Sequence, residues 1–435
     1  MKKFIICVCI LVAALFCGLY AYFYLGVYIR FGDKPVTAFM TADEDTIYME
    51  RDGHAVPFEI RGVDLGSGMP GEYATDFAID QDTYLRWFGL IQELGANTVR
   101  VYTIQSDDFY RAFYDYNTGR TAVGEEPLWL LHGVWVDDYS QFSHKDAFDD
   151  DILGELVEDG KIVVDILHGR RIHLGRDGDG SGYYLKDVSQ WVLGYILGVE
   201  WRADLVTYTN QNHPDMEPYQ GQYLRAAPEA SPFESMLAQL GDAVIAYETH
   251  RYGEQRLVSF ANGTATDPFC YSMVTTSYRY KTAAVNVEHI QPTEEFRSGY
   301  FASYNVYPYY PNYLETELEA RQYTREELFE IFGDNQVTTV EHRIALMDAP
   351  SIYDYLTEAD LNDSSGRQNT YYTYFKALNN FHDIPVVIAE YGVSSGRGVS
   401  QLDGSTGRNQ GGMTEQEQGE ALISCYKDIM DAGWA

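Results

Sequence analysis

Two glutamates stand where simple packing does not ask for a charge. Glu200 closes the apolar run LGYILGVE and Glu390 closes PVVIAE. Runs of this length bounded by turn residues read as buried strands. A carboxylate placed directly after one belongs at the strand's mouth, because a buried charge without a partner is strongly unfavourable. Either glutamate alone reads more simply as a solvated strand end. Two carboxyl groups facing one cleft are a different matter. One can protonate a leaving glycosidic oxygen while the other attacks the anomeric carbon or activates water.

Other chemistries fit the sequence less well. Gly392-Val393-Ser394-Ser395-Gly396 matches the G-x-S-x-G elbow of serine esterases. That elbow needs a helix next and a histidine downstream. The following segment is RGVSQLDGSTGRNQGG instead, and the last histidine is His382. Asp177, Asp179, Ser181 and Gly182 fit part of a calcium-loop spacing, but Val188 occupies the twelfth position, where a bidentate glutamate belongs. This segment reads as a polar turn. No H-E-x-x-H motif or P-loop occurs, and lone histidines such as His168 read as structural, so no metal and no cofactor is expected. Of the two glycosylation sequons, at Asn262 and Asn362, the first reads better as a residue at a strand mouth.

The elements that would carry the glutamates follow a repeating order. TIYMERDGHAVPFEIRGVDL reads as a hairpin turning at Asp52-Gly53 and then a strand ending near Asp64. DQDTYLRWFGLIQELG is amphipathic at helical spacing through Tyr84, Trp87, Phe88, Ile91 and Leu94, and Gly95 suits its end. NTVRVYTI is a second strand, Ser106 is placed to cap a helix, and PLWLLHGVWV is a third strand. A helical stretch, ILGELVEDGKIVVDIL, precedes the fourth strand, VLGYILGVEW. Ser231-Pro232-Phe233-Glu234 is a capping box with proline at the first helical position. RLVSFAN, GYFASYNVYPYY and IPVVIAEYG are strands five, six and seven, and Thr414 to Glu417 caps a last helix that Gly433 ends.

Seven buried strands alternating with helices indicate an α/β fold with parallel strands. Arg100, His132, Glu200, Asn262, Tyr307 and Glu390 fall at strand C-terminal ends. A (β/α)8 TIM barrel assembles its site from several such ends, which favours it over a doubly wound sheet. An eighth strand belongs after Gly433, so the barrel is expected to lack it in this chain: either a fragment or an open barrel. The division expected is an anchor over 1–34, a hairpin lead-in over 35–57 and the barrel over 58–435. Trp135, Trp201 and the tyrosines within 304–313 supply ring faces of the kind that pack on sugars.

From about Phe58 onward the chain resembles the clan A retaining glycoside hydrolases. FEIRGVDLG is similar to the first strand of that clan. LGANTVRVYT is similar to the second, where an arginine supports the nucleophile; the role falls on Arg100. YNVYPYYP is similar to the sixth, whose nucleophile-bonding tyrosine matches Tyr307. PVVIAEYGVSSGRG is similar to the seventh and assigns the nucleophile to Glu390, while Glu200 takes the acid/base place at the end of strand four. Val199 stands where many members have the asparagine that bonds the sugar 2-hydroxyl, and Asn305 where many have a histidine. The resemblance implies double displacement on an extracytoplasmic poly- or oligosaccharide, by a hydrolase or a transglycosidase. The alternative is a catalytically inactive carbohydrate-binding or envelope-assembly protein on the same barrel.

Composition sets the surroundings. The 435 residues carry 31 basic and 65 acidic side chains, a net charge of −34, which repels nucleic acid. An apolar fraction of 45% gives material for a large core. From Phe4 to Tyr28 no charge interrupts the chain, with Lys2 and Lys3 before it and Arg30 and Lys34 after it. That run suffices to cross a bilayer and lacks a clear cleavage site, so an uncleaved anchor with the rest of the chain extracytoplasmic is expected. Cys17 lacks the small residue before it that lipidation wants. Only Cys270 and Cys425 lie outside the run, too few for a disulfide scaffold or a zinc site.

Overall fold

A computed structural model of the chain describes residues 2–433 apart from 31, 33, 34, 137, 176, 177, 280, 310–315, 318–322, 346 and 405. The elements in chain order are α1 (Lys2–Phe23), β1 (Met40–Asp43), β2 (Thr46–Arg51), β3 (His54–Pro57), β4 (Gly62–Leu65), α2 (Gln81–Glu93), β5 (Thr98–Val101), α3 (Asp107–Ala122) and β6 (Trp129–Val134). Then come α4 (Asp138–Ser143), α5 (Glu155–Leu167), β7 (Arg171–His173), β8 (Gly182–Tyr184), β9 (Val192–Leu197), α6 (Ala203–Asn212), β10 (Leu224–Ala226), α7 (Pro232–Tyr252) and β11 (Leu257–Gly263). The remainder is α8 (Met273–Arg279), β12 (Ile290–Pro292), β13 (Tyr300–Asn305), α9 (Arg325–Phe332), α10 (Asp334–Ala345), α11 (Thr370–Phe381), β14 (Val386–Glu390) and α12 (Glu415–Asp431).

Seven of these strands form one parallel sheet in the order β14-β13-β11-β9-β6-β5-β4. These are the seven strands expected from the sequence. β5, β6, β9 and β11 are buried along their whole length, because helices cover the outside and side chains fill the inside. The sheet curls into a (β/α) barrel. Its two ends come near enough for Arg100 on β5 to donate to the carbonyl of Ala389 on β14 at 3.1 Å. Among the described residues β4 and β14 are not paired with each other.

Local signals in the sequence produce the expected ends. Ser231 and Glu234 form their reciprocal capping box at 3.2 and 2.7 Å, and Thr414 and Glu417 do the same at 3.2 and 2.8 Å. Gly95 takes a φ of +93° after α2. Ser106 precedes α3 as foreseen, but its hydroxyl makes no capping bond. The hairpin turns at Asp52 and Gly53, with φ of +51° and +78°, the left-handed pair of a type I′ turn. One more strand than expected, β1, pairs with β2. The resulting three-stranded sheet lies at the N-terminal ends of the barrel strands, the bottom of the barrel. Met40, Ile47 and Met49 are buried there, Ala42 donates to the carbonyl of Ser298 at 2.8 Å, and Phe39 and Phe58 pack on Trp129. α1 is long and apolar enough to cross a membrane, with a mean hydropathy of 2.8.

Three potential metal-ligating side chains, His168, Glu248 and Glu254, bring their ligand atoms within 4.8 Å of one another. The buried guanidinium of Arg256 binds both glutamates, so the cluster already holds its cation. His168 Nε2 lies 2.9 Å from the Glu248 carboxylate in the same cluster.

Helix packing around the barrel gives a test in which the environment reverses an intrinsic preference. Glycine to alanine inside a helix ordinarily stabilises by about 1 kcal/mol. At Gly89 in α2 a Cβ meets nothing within 4 Å, so Gly89→Ala should raise stability by about that much. At Gly160 in α5 the same Cβ falls 2.5 Å from a methyl of Val244 on α7. Gly160→Ala should therefore lower stability, by about 1–3 kcal/mol. Adding Val244→Ala should recover part of the loss in denaturant unfolding. Equal effects of the two alanines would contradict this packing.

Candidate active site

Glu390 is the last residue of β14. The parallel register sets it beside Asn305 of β13, with an irregularity between Tyr304 and Asn305. The backbone N–H of Val306 returns to the Glu390 carbonyl at 2.8 Å and fixes that junction. Tyr307 follows Asn305 by two residues. Three side chains converge on the carboxylate. Arg100 and Asn305 Nδ2 each donate to Oε1 at 2.9 Å, and the Tyr307 hydroxyl donates to Oε2 at 2.7 Å. Glu390 is 8% exposed and Arg100 4%, so this ion pair lies largely out of water.

Glu200 reaches the same place by another route. β9 ends at Leu197, and the chain turns at Gly198, whose φ is +84° and whose N–H donates to the Val134 carbonyl at 2.9 Å. Only glycine suits that turn, since a Cβ would fall 2.2 Å from the Trp201 ring. Glu200 therefore lies three residues beyond the strand, exposed, rather than on it. Its Cγ lies 3.4 Å from where a Cβ on Gly263, the last residue of β11, would stand, so Glu200 sits against the end of that strand. Asn305 Nδ2 donates to Glu200 Oε1 at 3.2 Å as well as to Glu390. One amide nitrogen thus bridges the two carboxylates.

The other candidates divide. Trp135 is exposed and meets the Tyr102 ring edge-on at 5.8 Å. Arg100 lies 4.6 Å over the face of the same Tyr102 ring, so Trp135, Tyr102 and Arg100 form one wall beside Glu390. Tyr309 stacks on Tyr307 at 5.7 Å, while residues 310–313 lie outside the described residues. Trp201 is buried, edge-on to Phe233 at 5.2 Å, and supports the Gly198 turn rather than offering a face to solvent. His132 is buried and bonded to Tyr110 on α3 at 2.7 Å and to the Gly133 carbonyl at 2.8 Å. Burial pushes its pKa down to about 4, so the ring is neutral. The carbonyl requires Nδ1 to carry the proton, leaving Nε2 to accept from Tyr110. Asn262 is also buried, and its side-chain oxygen accepts from Gly263 N and Thr266 Oγ1, tying the loop after β11. The bonds that His132 and Asn262 make here go to residues other than the two glutamates.

The two lesser motifs are also placed. Asp179 accepts from Thr103 Oγ1 at 2.8 Å and lies 3.4 Å from His173, as a polar turn would; Asp177 lies outside the described residues. Ser394 has no helix behind it, since the next one, α12, starts at Glu415, so no nucleophile elbow forms.

Two residues of the site were not singled out from the sequence. Asp64, at the end of β4, lies 3.9 Å from the Arg100 guanidinium. Tyr102 follows Arg100 by two residues and also interacts with Glu390. The rule that flagged the glutamates, a charge at the end of an apolar strand, applies to Asp64 equally. Burial pushes the Asp64 pKa up to about 7; Arg100 opposes the shift and the charge of Glu390 adds to it. Burial followed by the charge of Glu390 likewise raises the Tyr307 phenol well above its usual range, so it stays a donor.

An acid with a raised folded-state pKa keeps a proton that the unfolded chain has released. Asp64 should thus leave stability untouched below about pH 4, erode it from there to about pH 7, and weigh fully above that. Asp64→Asn removes the effect. The variant should melt above the parent at pH 8 and with it at pH 4. Parallel melting curves across that range would mean that Asp64 is ionised throughout.

No family model matches the chain, and no curated protein does. Among solved structures it is similar to β-glucuronidase 2 of Bacteroides uniformis covalently bound to cyclophellitol-6-carboxylate aziridine. That match has 10% identity and a TM-score of 0.41, over 91% of this chain and 32% of that one. It is also similar to an endo-laminarinase from Formosa, at 11% identity and a TM-score of 0.38 over 85% and 74% of the two chains. A third is the GH53 catalytic domain of Ignisphaera aggregans, at 13% identity and 0.29 over 78% and 85%. This chain spans about a third of the β-glucuronidase. All three scores are low, and the assignment of the barrel rests on the strand order of this chain itself.

Proposed function

We propose that the chain is a membrane-anchored retaining glycosidase or transglycosidase acting on extracytoplasmic poly- or oligosaccharide. The observation that carries this reading is the shared amide of Asn305. Bonds of 3.2 and 2.9 Å to the two carboxylates hold the accepting oxygens within about 6 Å of each other. Retaining glycosidases have their carboxyl groups about 5–5.5 Å apart, whereas inverting ones leave about 6.5–9.5 Å for a water.

The environments divide the roles. Glu390 is buried beside a fixed guanidinium and takes further hydrogen bonds from Asn305 and Tyr307. Its Oε1 takes two donors, leaving Oε2, held by Tyr307, as the oxygen that attacks the anomeric carbon. Glu200, exposed at the mouth, protonates the leaving glycosidic oxygen as that bond breaks. Once the glycosyl–Glu390 ester has formed, Glu200 takes the proton from the incoming hydroxyl, which displaces Glu390. Water as acceptor gives hydrolysis and a sugar hydroxyl gives transfer. Trp135 and Tyr102 offer the apolar surface on which a sugar's C–H face packs. α1 serves as an uncleaved anchor.

A second reading, binding without cleavage, is favoured by one observation. The Asn305 amide nitrogen bonds both carboxylates, and if it keeps both bonds with sugar bound, the two are not free to act on one glycosidic bond.

Covalent labelling separates the two readings. The full chain in detergent is treated with cyclophellitol-type aziridines of different sugar configuration, and the labelled peptide is identified by mass spectrometry. One configuration should label Glu390, and Glu390→Gln should abolish both label and turnover while still folding cooperatively, with a lower melting temperature because Arg100 loses its buried partner. Glu200→Gln should slow cleavage of unactivated glycosides about 10²–10⁴-fold. A label on Glu200 would reverse the roles. Oligosaccharide binding with neither label nor reducing sugar would leave the second reading.

A further inference from the structure

The segment joining α1 to the barrel is docked, not loose. Residues 2–20 are exposed, and burial begins only at Ala21, so α1 leaves the protein body as a free rod. Its C-terminal end is rich in rings (Tyr20, Tyr22, Phe23 and Tyr24, then Tyr28) and is followed by Arg30. Such aromatic clusters settle at the level of lipid headgroups.

That aromatic end is gripped by α5 and α7 where the two helices finish. Arg251 donates to the Gly26 carbonyl at 2.6 Å, and its guanidinium lies 5.1 and 5.2 Å over the rings of Tyr22 and Tyr28. Tyr28 also meets Tyr247 edge-on at 5.8 Å. Behind them the fully buried Asp165 accepts from Arg251 at 3.0 Å and from the hydroxyls of Tyr247 and Tyr252. Gly26 has a φ of +69°, and a Cβ there would fall 2.9 Å from Arg171 Nη1, so bare backbone seats on the cluster. The chain continues along the same face. Thr37 N donates to the Gly253 carbonyl and Gln255 N to the Thr37 carbonyl, each at 2.9 Å.

In this fold the helices end, and the next strands begin, at the bottom of the barrel. Asp165 and residues 247–256 therefore lie opposite Glu200 and Glu390. A six-residue strand is about 20 Å long, which puts the mouth about that far from the docking cluster. The bottom also exposes Leu94 and Val123, just past the ends of α2 and α3. A net charge of −34 would push a loosely tethered body away from anionic headgroups, whereas a docked one is held against them.

We infer that the barrel stands bottom-down on the bilayer, clamped to its span by the cluster of Arg251, Asp165 and Tyr247, with its cleft open away from the lipid. This rests on reading α1 as a membrane span. It selects glycans that stand clear of the headgroups and excludes lipid-linked sugars of the same bilayer, which a clamped barrel cannot turn to reach.

The test uses the full chain in lipid nanodiscs, with Cys7, Cys9, Cys17 and Cys270 changed to Ser. A spin label is placed at the bottom by Val123→Cys or at the mouth by Ser395→Cys. Nickel-chelating lipids should enhance relaxation several-fold more at 123 than at 395. Tyr28→Ala and Arg251→Met should each narrow that difference. Equal enhancement at both sites, or more at 395, overturns the orientation. A difference that neither variant changes overturns the clamp. Failure of the parent chain to float with vesicles after alkaline carbonate defeats the membrane-span reading itself, and this inference with it; a chain that floats but gives equal relaxation defeats the orientation alone.

Discussion

Arg100 reaches from the second strand of the barrel sheet to the seventh, across the side where no pairing joins β4 to β14, and there meets Glu390. Much else is arranged around that contact. A buried ion pair gives up several kcal/mol of hydration per ion, and its mutual attraction repays this only when the remaining lone pairs and protons are also satisfied. Asn305 and Tyr307 complete the carboxylate's hydrogen bonds. The Ala389 carbonyl takes a further Arg100 bond, so the guanidinium fastens backbone as well as side chain. The register shift between β13 and β14, which passes over Ala389, belongs to the same requirement, because it lets Asn305 fall beside Glu390.

A single guanidinium cannot balance two neighbouring carboxylates, and Asp64 and Glu390 both lie within 4 Å of Arg100. The conflict is relieved by a proton. Glu390 makes the shorter ion pair and has two more donors, while Asp64, at 3.9 Å, keeps its proton up to about pH 7. Glu200 is outside this competition. It hangs from a glycine turn at the mouth and is bonded to the network by Asn305. Two carboxyl groups whose Asn305-bonded oxygens lie within about 6 Å thus occupy different settings, Glu390 buried and paired with Arg100 and Glu200 exposed at the mouth. That is the separation acid/base chemistry asks of a pair of otherwise similar groups.

What was legible in the sequence follows from how local each signal is. Apolar runs with turn residues at their ends marked all seven barrel strands, and capping boxes at Ser231 and Thr414 marked helix starts, because the physics of both is contained in a few neighbouring residues. Arg100, Tyr307 and the two glutamates were legible as residues at strand ends, and the structure brings them together with Asn305. His132 and Asn262 carried the same signal but bond elsewhere, since position along a strand does not say whether a side chain turns toward the cleft or toward the covering helices. Trp201 adjoins Glu200 in sequence yet is buried beneath the Gly198 turn, a consequence of a positive φ that no periodicity reveals. Asp64 was passed over for a related reason. Its importance comes from a charge on a different strand, and pairings of that range exist only in the folded chain.

The two ends of the barrel carry different kinds of polar network. At the bottom, Arg251 pairs with Asp165 and Arg256 with Glu248, and further bonds to a glycine carbonyl and from tyrosine hydroxyls help hold the elements in place. At the top, Arg100, Asn305 and Tyr307 hold Glu390, and Glu200 is exposed at the mouth. The Asn305 side-chain oxygen there is buried without a partner, and Trp135 is exposed on the wall next to it. An unsatisfied acceptor in a nearly dry site is unfavourable by roughly 1–3 kcal/mol unless something donates to it. A hydroxyl of a bound sugar is a donor of the right kind. An exposed Glu200, an exposed Trp135 and the unpartnered Asn305 oxygen thus lie at the end of the barrel opposite the Arg251 cluster.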